Sequence, residues 1–243
     1  MEVIERPTFE SEARKRMYEY VERHGTAERN FLFEVVSVPS EEFRTELELL
    51  KSRGYLEEDG GTLSVALDAG SVGEYATGGV AFTIRPARQD DFEGLVNVIR
   101  DVTAEETYVV AESIAEQLLY EDTVTRHNTV ESRLFFVATV EGSVVGWTHL
   151  DLPQVRRVRE TAQLTVGVET TSRGYGIGSK LLQRGLDWAE ANGYRKVYNS
   201  IPVTNENALS FLTDRGWNTE AIRQEHYTID GEYVDEVMMA YAF

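Results

Sequence analysis

Apolar positions along this chain change period several times, and each change marks an element. Over Glu10 to His24, Met17, Tyr18, Tyr20 and Val21 fall at helical spacing, and Gly25 follows as a left-handed cap, which predicts a helix. Ser40 opens a second amphipathic helix carrying Phe43, Leu47, Leu49 and Leu50 and stopping at Gly54. The next phrase, YLEEDGGTLSVAL, has two short apolar runs around Asp59-Gly60-Gly61, which is hairpin chemistry. Leu67 to Gly79, LDAGSVGEYATGG, is glycine-rich with little apolar periodicity and reads as a connector.

Beyond it the patterns alternate. Phe82 to Arg85 reads as a strand, Asp90 to Arg100 and Glu105 to Tyr120 as helices, and Leu134 to Val140 and Val144 to Leu150 as strands joined at Glu141-Gly142. Gln163 to Val168 is a strand, Gly176 to Ala191 a helix, Lys196 to Ile201 a strand; a further helix and a final strand pair follow. Such interleaving predicts an α/β fold with a mixed sheet and helices packed on it. The expected organisation is an N-terminal helical domain over 1–70, a linker over 71–81 and a larger domain over 82–243.

Composition narrows the function classes. The chain has 42 Asp and Glu against 24 Lys and Arg, a net charge of −18, which argues against non-specific attraction to nucleic acid. Lysine occurs only at Lys15, Lys51, Lys180 and Lys196, and a lysine-poor acidic surface resembles that of proteins from halophilic microbes. Without cysteine there is no disulfide, thiolate ligand or thiol nucleophile, and the four histidines are not paired at metal-ligand spacing, so no metal is expected. No stretch approaches the roughly 18 apolar residues of a membrane span, and the start lacks a signal-peptide block, so a soluble cytoplasmic protein without membrane contact is expected.

The stretch LTVGVETTSRGYGIGSKLL places Arg173, Gly176 and Gly178 in an R-x-x-G-x-G pattern where a β-branched strand runs into a helix. Glycines let a backbone approach a ligand closely, and the free N–H groups of a first helical turn form an anion site suited to pyrophosphate. A dinucleotide loop would need G-x-G-x-x-G with an acid about 20 residues on, and a nucleoside-triphosphate loop G-x-x-x-x-G-K-[ST]; neither is present.

The segment resembles the acetyl-coenzyme A motif of the GCN5-related N-acetyltransferase (GNAT) superfamily. FTIRPARQDD over Phe82 to Asp91 is similar to that family's first strand and helix entry, TNENALSFLTDRGW to its N-x-x-A and terminal G-F signature, and IDGEYVDEVMMAYAF to its last strands. The resemblance covers about residues 82 to 243. It implies transfer of an acetyl group from acetyl-CoA to a primary amine of a small molecule or protein. Arg173, Gly174, Tyr175, Gly176, Ile177, Gly178 and Ser179 would wrap the pyrophosphate, Val166 and Val168 would pair with pantetheine amides, and Asn205 would support that arm. The sheet would splay between the strands at Gln163 to Val168 and Lys196 to Ile201, and Gly167 would mark a bulge or a point of crowding. The alternative reading is an acyl-CoA-sensing regulatory or binding module with a partner- or DNA-binding N-terminal domain.

An alkyl amine of pKa near 10.4 is less than about 0.1% neutral at pH 7, a barrier of roughly 4 to 5 kcal/mol unless its proton is removed. Glu160, or Glu105 and Glu106, are candidate bases. The tyrosine that relatives carry after N-x-x-A to protonate the thiolate is replaced by Leu212, leaving Tyr198 or Tyr227 as substitutes. Residues 8 to 68 resemble a winged helix, but the second helix carries Glu41, Glu42, Glu46 and Glu48 against Arg44, Lys51 and Arg53, so packing or homodimerisation is expected rather than nucleic-acid binding.

Overall fold

The computed structural model describes residues 8–67, 69–105, 108–128 and 130–243. The N-terminal part runs α1 (Glu12–His24), β1 (Thr26–Glu28), α2 (Arg29–Val36), α3 (Ser40–Ser52), β2 (Leu56–Asp59) and β3 (Thr62–Val65), with a small sheet in the order β1-β3-β2. Ser11 caps α1 by accepting from the Arg14 N–H at 3.3 Å, and Gly25 ends that helix at φ 80°. Met17, Val21, Leu32, Leu47, Leu50 and Leu63 are fully buried together, a core separate from the rest.

The larger part follows as β4 (Gly73–Thr77), β5 (Val80–Pro86), α4 (Phe92–Glu105), α5 (Val109–Glu121), β6 (Arg126–His127), β7 (Glu131–Val140), β8 (Ser143–Pro153), β9 (Thr161–Val168), α6 (Ile177–Ala191), β10 (Lys196–Pro202), α7 (Glu206–Thr213), β11 (Asn218–Ile229) and β12 (Glu232–Ala242). These strands form one nine-stranded sheet among the described residues, in the order β11-β12-β10-β9-β8-β7-β5-β4, with β6 beside β7. The glycine-rich connector expected from the sequence holds β4, which pairs with β5 from Gly73 opposite Ile84 to Thr77 opposite Val80. Its glycines lie at the ends of the strand and in the Gly78-Gly79 turn at φ 62° and 83°, so a hairpin presents the composition of a linker.

Alternate residues of β7 feed opposite cores. Leu134, Phe136 and Ala138 pack with α6 residues such as Leu181 and Leu182, whereas Phe135 and Val137 pack with α4 and α5 residues such as Leu95 and Leu118. A strand buried on both faces reads as a continuous apolar run, as RLFFVATV does. Arg85 grips Asp91 with two bonds of 2.6 and 2.7 Å, fixing β5 to the entry of α4. Burial works to raise the Asp91 carboxyl but is outweighed by Arg85 and the Arg88 N–H, so its pKa lies below the usual value. Among the described residues no helix is long and apolar enough to cross a membrane.

Candidate functional site

β9 and β10 run parallel but pair only from Thr161 opposite Lys196 to Gln163 opposite Tyr198. Beyond that point each stays tied to its outer neighbour, β9 to β8 as far as Val168 and β10 to β12 as far as Pro202. The two half-sheets therefore part. The slot between them opens into a cleft of about 480 Å³ bounded by β9, β10, the start of α6, α7 and Tyr108 to Ala111 at the start of α5. Backbone groups of Val166 and Val168 that face β10 have no ladder partner there, so an extended ligand can take the place of a strand. Their side chains point away, into the core beneath α6.

At the wide end lies the glycine loop. Arg173 turns its Nε back onto the Val168 carbonyl at 2.9 Å, which ties the loop to the end of β9. Gly174 and Gly176 take φ of 84° and 79°, a region that costs a residue with a Cβ about 1 kcal/mol or more. Gly176 is the N-cap of α6 and no side chain caps the helix, so the amides of its first turn are available to an anion. Gly178 needs no special φ, but a Cβ there would enter the cleft between Val168 at 3.5 Å and Phe211 at 3.7 Å. Ser179 lines the cleft, whereas Ile177, which also touches it, is otherwise core at 1% exposure. Tyr175 turns aside to the β4–β5 hairpin, where its ring lies 3.1 Å from the position a Cβ on Gly78 would take.

Arg215 is a cleft residue that the sequence reading missed. Its guanidinium lies over the Phe211 ring at 3.8 Å, donates to the Phe211 carbonyl at 2.7 Å and reaches Ser179 Oγ at 2.8 Å, which sets a fixed cation beside the α6 N-terminus. Its position four residues after Phe211 on the α7 pattern was the available signal. Asn205 begins α7, and its buried Nδ2 has no hydrogen-bond partner among the described residues. Its Oδ1 accepts from the Ala208 N–H at 3.1 Å as the N-cap of α7, and Asn207 and Ala208 are the residues that face the cleft.

Of the candidate catalytic residues, Glu160 lies outside the cleft. It sits before β9, its side chain 60% exposed and 4.0 Å from Arg195, because the strands are still paired at that level and the slot opens only beyond Gln163. Glu106 and the side chain of Glu105 lie outside the described residues. Leu212, at the position where the resemblance implied a tyrosine, is buried and lines the cleft. Tyr198 stands at the fork itself, half-buried, its hydroxyl pushed up by burial and by nearby Asp151. Tyr227 donates to Glu236 Oε1 at 2.9 Å; burial and then that bond drive its pKa well above the ordinary value, which makes it a poor proton donor to sulfur. Gly167 marks crowding and not a bulge: β8 and β9 stay in register, and a Cβ on Gly167 would lie 2.1 Å from the ring of fully buried Trp147.

At the fork, the face of the sheet toward α5 is polar. Arg133, Asp151, Gln163 and Tyr198 form one cross-strand row, and His149 and Thr165 pair in the next. His149 is fully enclosed against Phe135, and burial, then Arg133, pulls its pKa down to about 3, so it is a neutral imidazole. Burial, then Glu131, raises Asp151.

A mixed sheet split between parallel strands, with the split opening on an uncapped helix N-terminus, defines an α/β protein with a cleft at the point where its half-sheets part. Comparison with known proteins specifies it further. Residues 96–217 match the acetyltransferase (GNAT) family. An uncharacterized N-acetyltransferase of Methanocaldococcus jannaschii is 30% identical over 91 residues, 36% of this chain and 40% of that relative's length. A GNAT-family acetyltransferase of Streptococcus pneumoniae superposes with a TM-score of 0.54 at 21% identity, over 67% of this chain and 99% of its own. A Salmonella typhimurium structure described as a putative acetyltransferase with its cofactor acetyl-CoA superposes equally, with a TM-score of 0.54 at 20% identity over 66% and 93%. This chain belongs to the acetyltransferase (GNAT) family.

Proposed function

We propose that the chain is an acetyl-CoA-dependent N-acetyltransferase that passes an acetyl group directly to a primary amine of a small molecule or protein. The observation that carries this reading is the meeting of the β9–β10 slot with the uncapped α6 N-terminus beside Arg215. The residues present suit the group. Free amides of Ile177, Gly178 and Ser179 with the Arg215 cation match a pyrophosphate, and the unpaired edge at Val166 and Val168 matches the amides of a pantetheine arm.

When bound, acetyl-CoA supplies the activated acetyl thioester. The chain's own part is to orient the arm along β9, exclude water through α5 and admit the amine from the face opposite α6. As the C–N bond forms and the C–S bond breaks, two protons leave the nitrogen; one ends on the thiol and the other in solvent. Tyr198, at the fork, is the tyrosine best placed to serve the sulfur. The three helices and the β2–β3 hairpin support reading 1–70 as a winged-helix-like domain, and the acidic α3 favours a packing or dimer role. With β4 in the sheet, the catalytic unit begins near Gly73.

Turnover tests the proposal: release of free thiol from acetyl-CoA measured against a panel of amines in molar potassium chloride. Thiol release that depends on an amine is expected. Saturable binding of acetyl-CoA without release under any condition would make the chain a sensor.

A further inference from the structure

On β10, Val197 and Ile201 pack into the core beneath α6, so Tyr198 and Ser200 point to the opposite face, toward α5. By the same alternation Leu164, Val166 and Val168 face α6, and Thr165 faces α5. Tyr198 is the last residue paired, with Gln163, so Ser200 and Thr165 stand opposite each other just past the fork, both lining the cleft. Thr165 is 4% exposed, and its Oγ1 has no hydrogen-bond partner among the described residues. Ser200 lies diagonal to Glu236 on the same face of the β10–β12 ladder, Ser200 opposite Met238 and Pro202 opposite Glu236; the Ser200 hydroxyl helps to hold that carboxyl below its ordinary pKa, and Glu236 is 3% exposed.

That carboxylate is held by β11 from the other side. Tyr227 Oη donates to Oε1 at 2.9 Å, Arg223 Nη1 lies 2.9 Å from Oε2, and His226 Nε2 lies 3.7 Å from Oε2. A regular strand would send His226 to the face away from Tyr227. Here Arg223 pairs with Glu236 and Tyr227 with Val234, so β11 carries extra residues over that span, and Glu225 takes φ 50° with its N–H on Asp235 Oδ1 at 2.8 Å. The bulge brings the Tyr227 hydroxyl, the Arg223 guanidinium and the His226 ring around one carboxylate at the expense of local strain, a feature that gathers at functional sites. Stability alone does not call for the arrangement, since apolar residues of similar volume commonly serve a buried position as well as an ion pair does.

We infer that Ser200, Thr165 and Glu236 form the acceptor-recognition site, which takes the ammonium form of an alkyl amine in preference to a neutral amine. Ser200 commits its proton to Glu236 and turns its oxygen lone pairs to the cleft, where Thr165 Oγ1 supplies a second acceptor. Glu236 is the positioning residue behind them and the source of negative charge. Burial works to raise its pKa but is outweighed by Ser200, Tyr227, Arg223 and His226, so it remains ionised. The inference rests on the acetyltransferase reading and adds the charge state of the acceptor and the residues that select it.

The experiment compares 2-phenylethylamine with O-benzylhydroxylamine, which are nearly isosteric, at pH 7, where the first is a cation and the second neutral. Free thiol is followed for the full chain, Ser200→Ala and Glu236→Gln, with acetyl-CoA affinity measured by calorimetry. Loss of a hydrogen bond to a charged group predicts a kcat/KM for 2-phenylethylamine lower by roughly ten- to a hundredfold, mainly through KM. The loss for the neutral amine should be smaller by at least about fivefold, and that ratio is what the experiment reads, with acetyl-CoA affinity reported beside it. Equal losses for both amines, or none, would overturn the inference. If Glu236→Gln fails to fold, Ser200→Ala, which removes only a hydroxyl from the slot wall, decides by the same ratio. No turnover of either amine by the unaltered chain, when other amines of the panel release thiol, would overturn this inference alone; no release with any amine would overturn the acetyltransferase reading and this inference with it.

Discussion

The two faces of one slot are built by different means. Toward α6 the site is backbone: free amides at Ile177 to Ser179, the unpaired edge of β9, and glycines where a Cβ would be strained or would intrude. Toward α5 it is side chains on neighbouring strands, Thr165 of β9 and Ser200 of β10 lining the cleft, with His149 opposite Thr165 on β8 and Glu236 on β12 beyond Ser200. Backbone recognition needs a fixed order of residue types in one short segment and so leaves a motif. Side-chain recognition needs only that different strands bring groups together, and it leaves none.

Gly167 stands where the faces meet, and its replacement should have the largest effect. Gly167→Val must displace the buried Trp147 ring, and overpacking of that kind should cost about 3 kcal/mol in denaturant unfolding. A value near zero would mean that the walls are looser than the comparison requires.

His149 gives the α5 face a pH signature. Its pKa falls from 6.5 to about 3 on folding, so between those values the unfolded chain binds the proton and the native one does not. Stability present above pH 6.5 is lost as pH falls toward 3, at about 1.4 kcal/mol per unit, or about 2.7 kcal/mol by pH 4.5. In His149→Gln the acid limb of a stability-against-pH series should flatten by that amount; an unchanged slope would mean that the imidazole is reached by water.

Arg215→Ala sharpens the α6 side. Removing one fixed cation from the phosphate end should weaken acetyl-CoA binding about tenfold, more at low salt than at high. Asn205→Ala should cost about 1 kcal/mol of stability as a lost helix cap, with acetyl-CoA affinity little changed. Calorimetry and denaturant unfolding together separate that role from pantetheine support. The smallest effect is expected at Glu160: Glu160→Gln should change kcat/KM by less than about threefold at any pH, as for a solvated surface carboxylate.

What was legible in the sequence follows the same division. The order of strands and helices beyond Phe82 could be read because β7, β8 and β9 are buried on both faces and glycines punctuate their ends. The R-x-x-G-x-G segment could be read because α6 begins on glycines that the φ of Gly176 requires. β4 could not, because Gly73, Gly78 and Gly79 bracket it as they would bracket a loop. Glu236 was hidden in YVDEVMMAYA, where Asp235-Glu236 passes for solvated charge; only the pairing with Arg223 shows that it is enclosed. Glu160 and Tyr227 failed in the opposite way, being suitable residue types whose distance from the slot depends on where β9 and β10 part.

The most direct test of the central claim is a calorimetric titration of acetyl-CoA into the unaltered chain and Gly178→Val. A Cβ at Gly178 makes only ordinary contacts with Val168 and Phe211, so the variant should fold with an unchanged Tm while its side chain fills the place of the phosphates. The account predicts one site per chain, weakened at least about tenfold in the variant. Equal affinity in the two proteins would contradict it, because the ligand would then lie somewhere other than the α6 N-terminus.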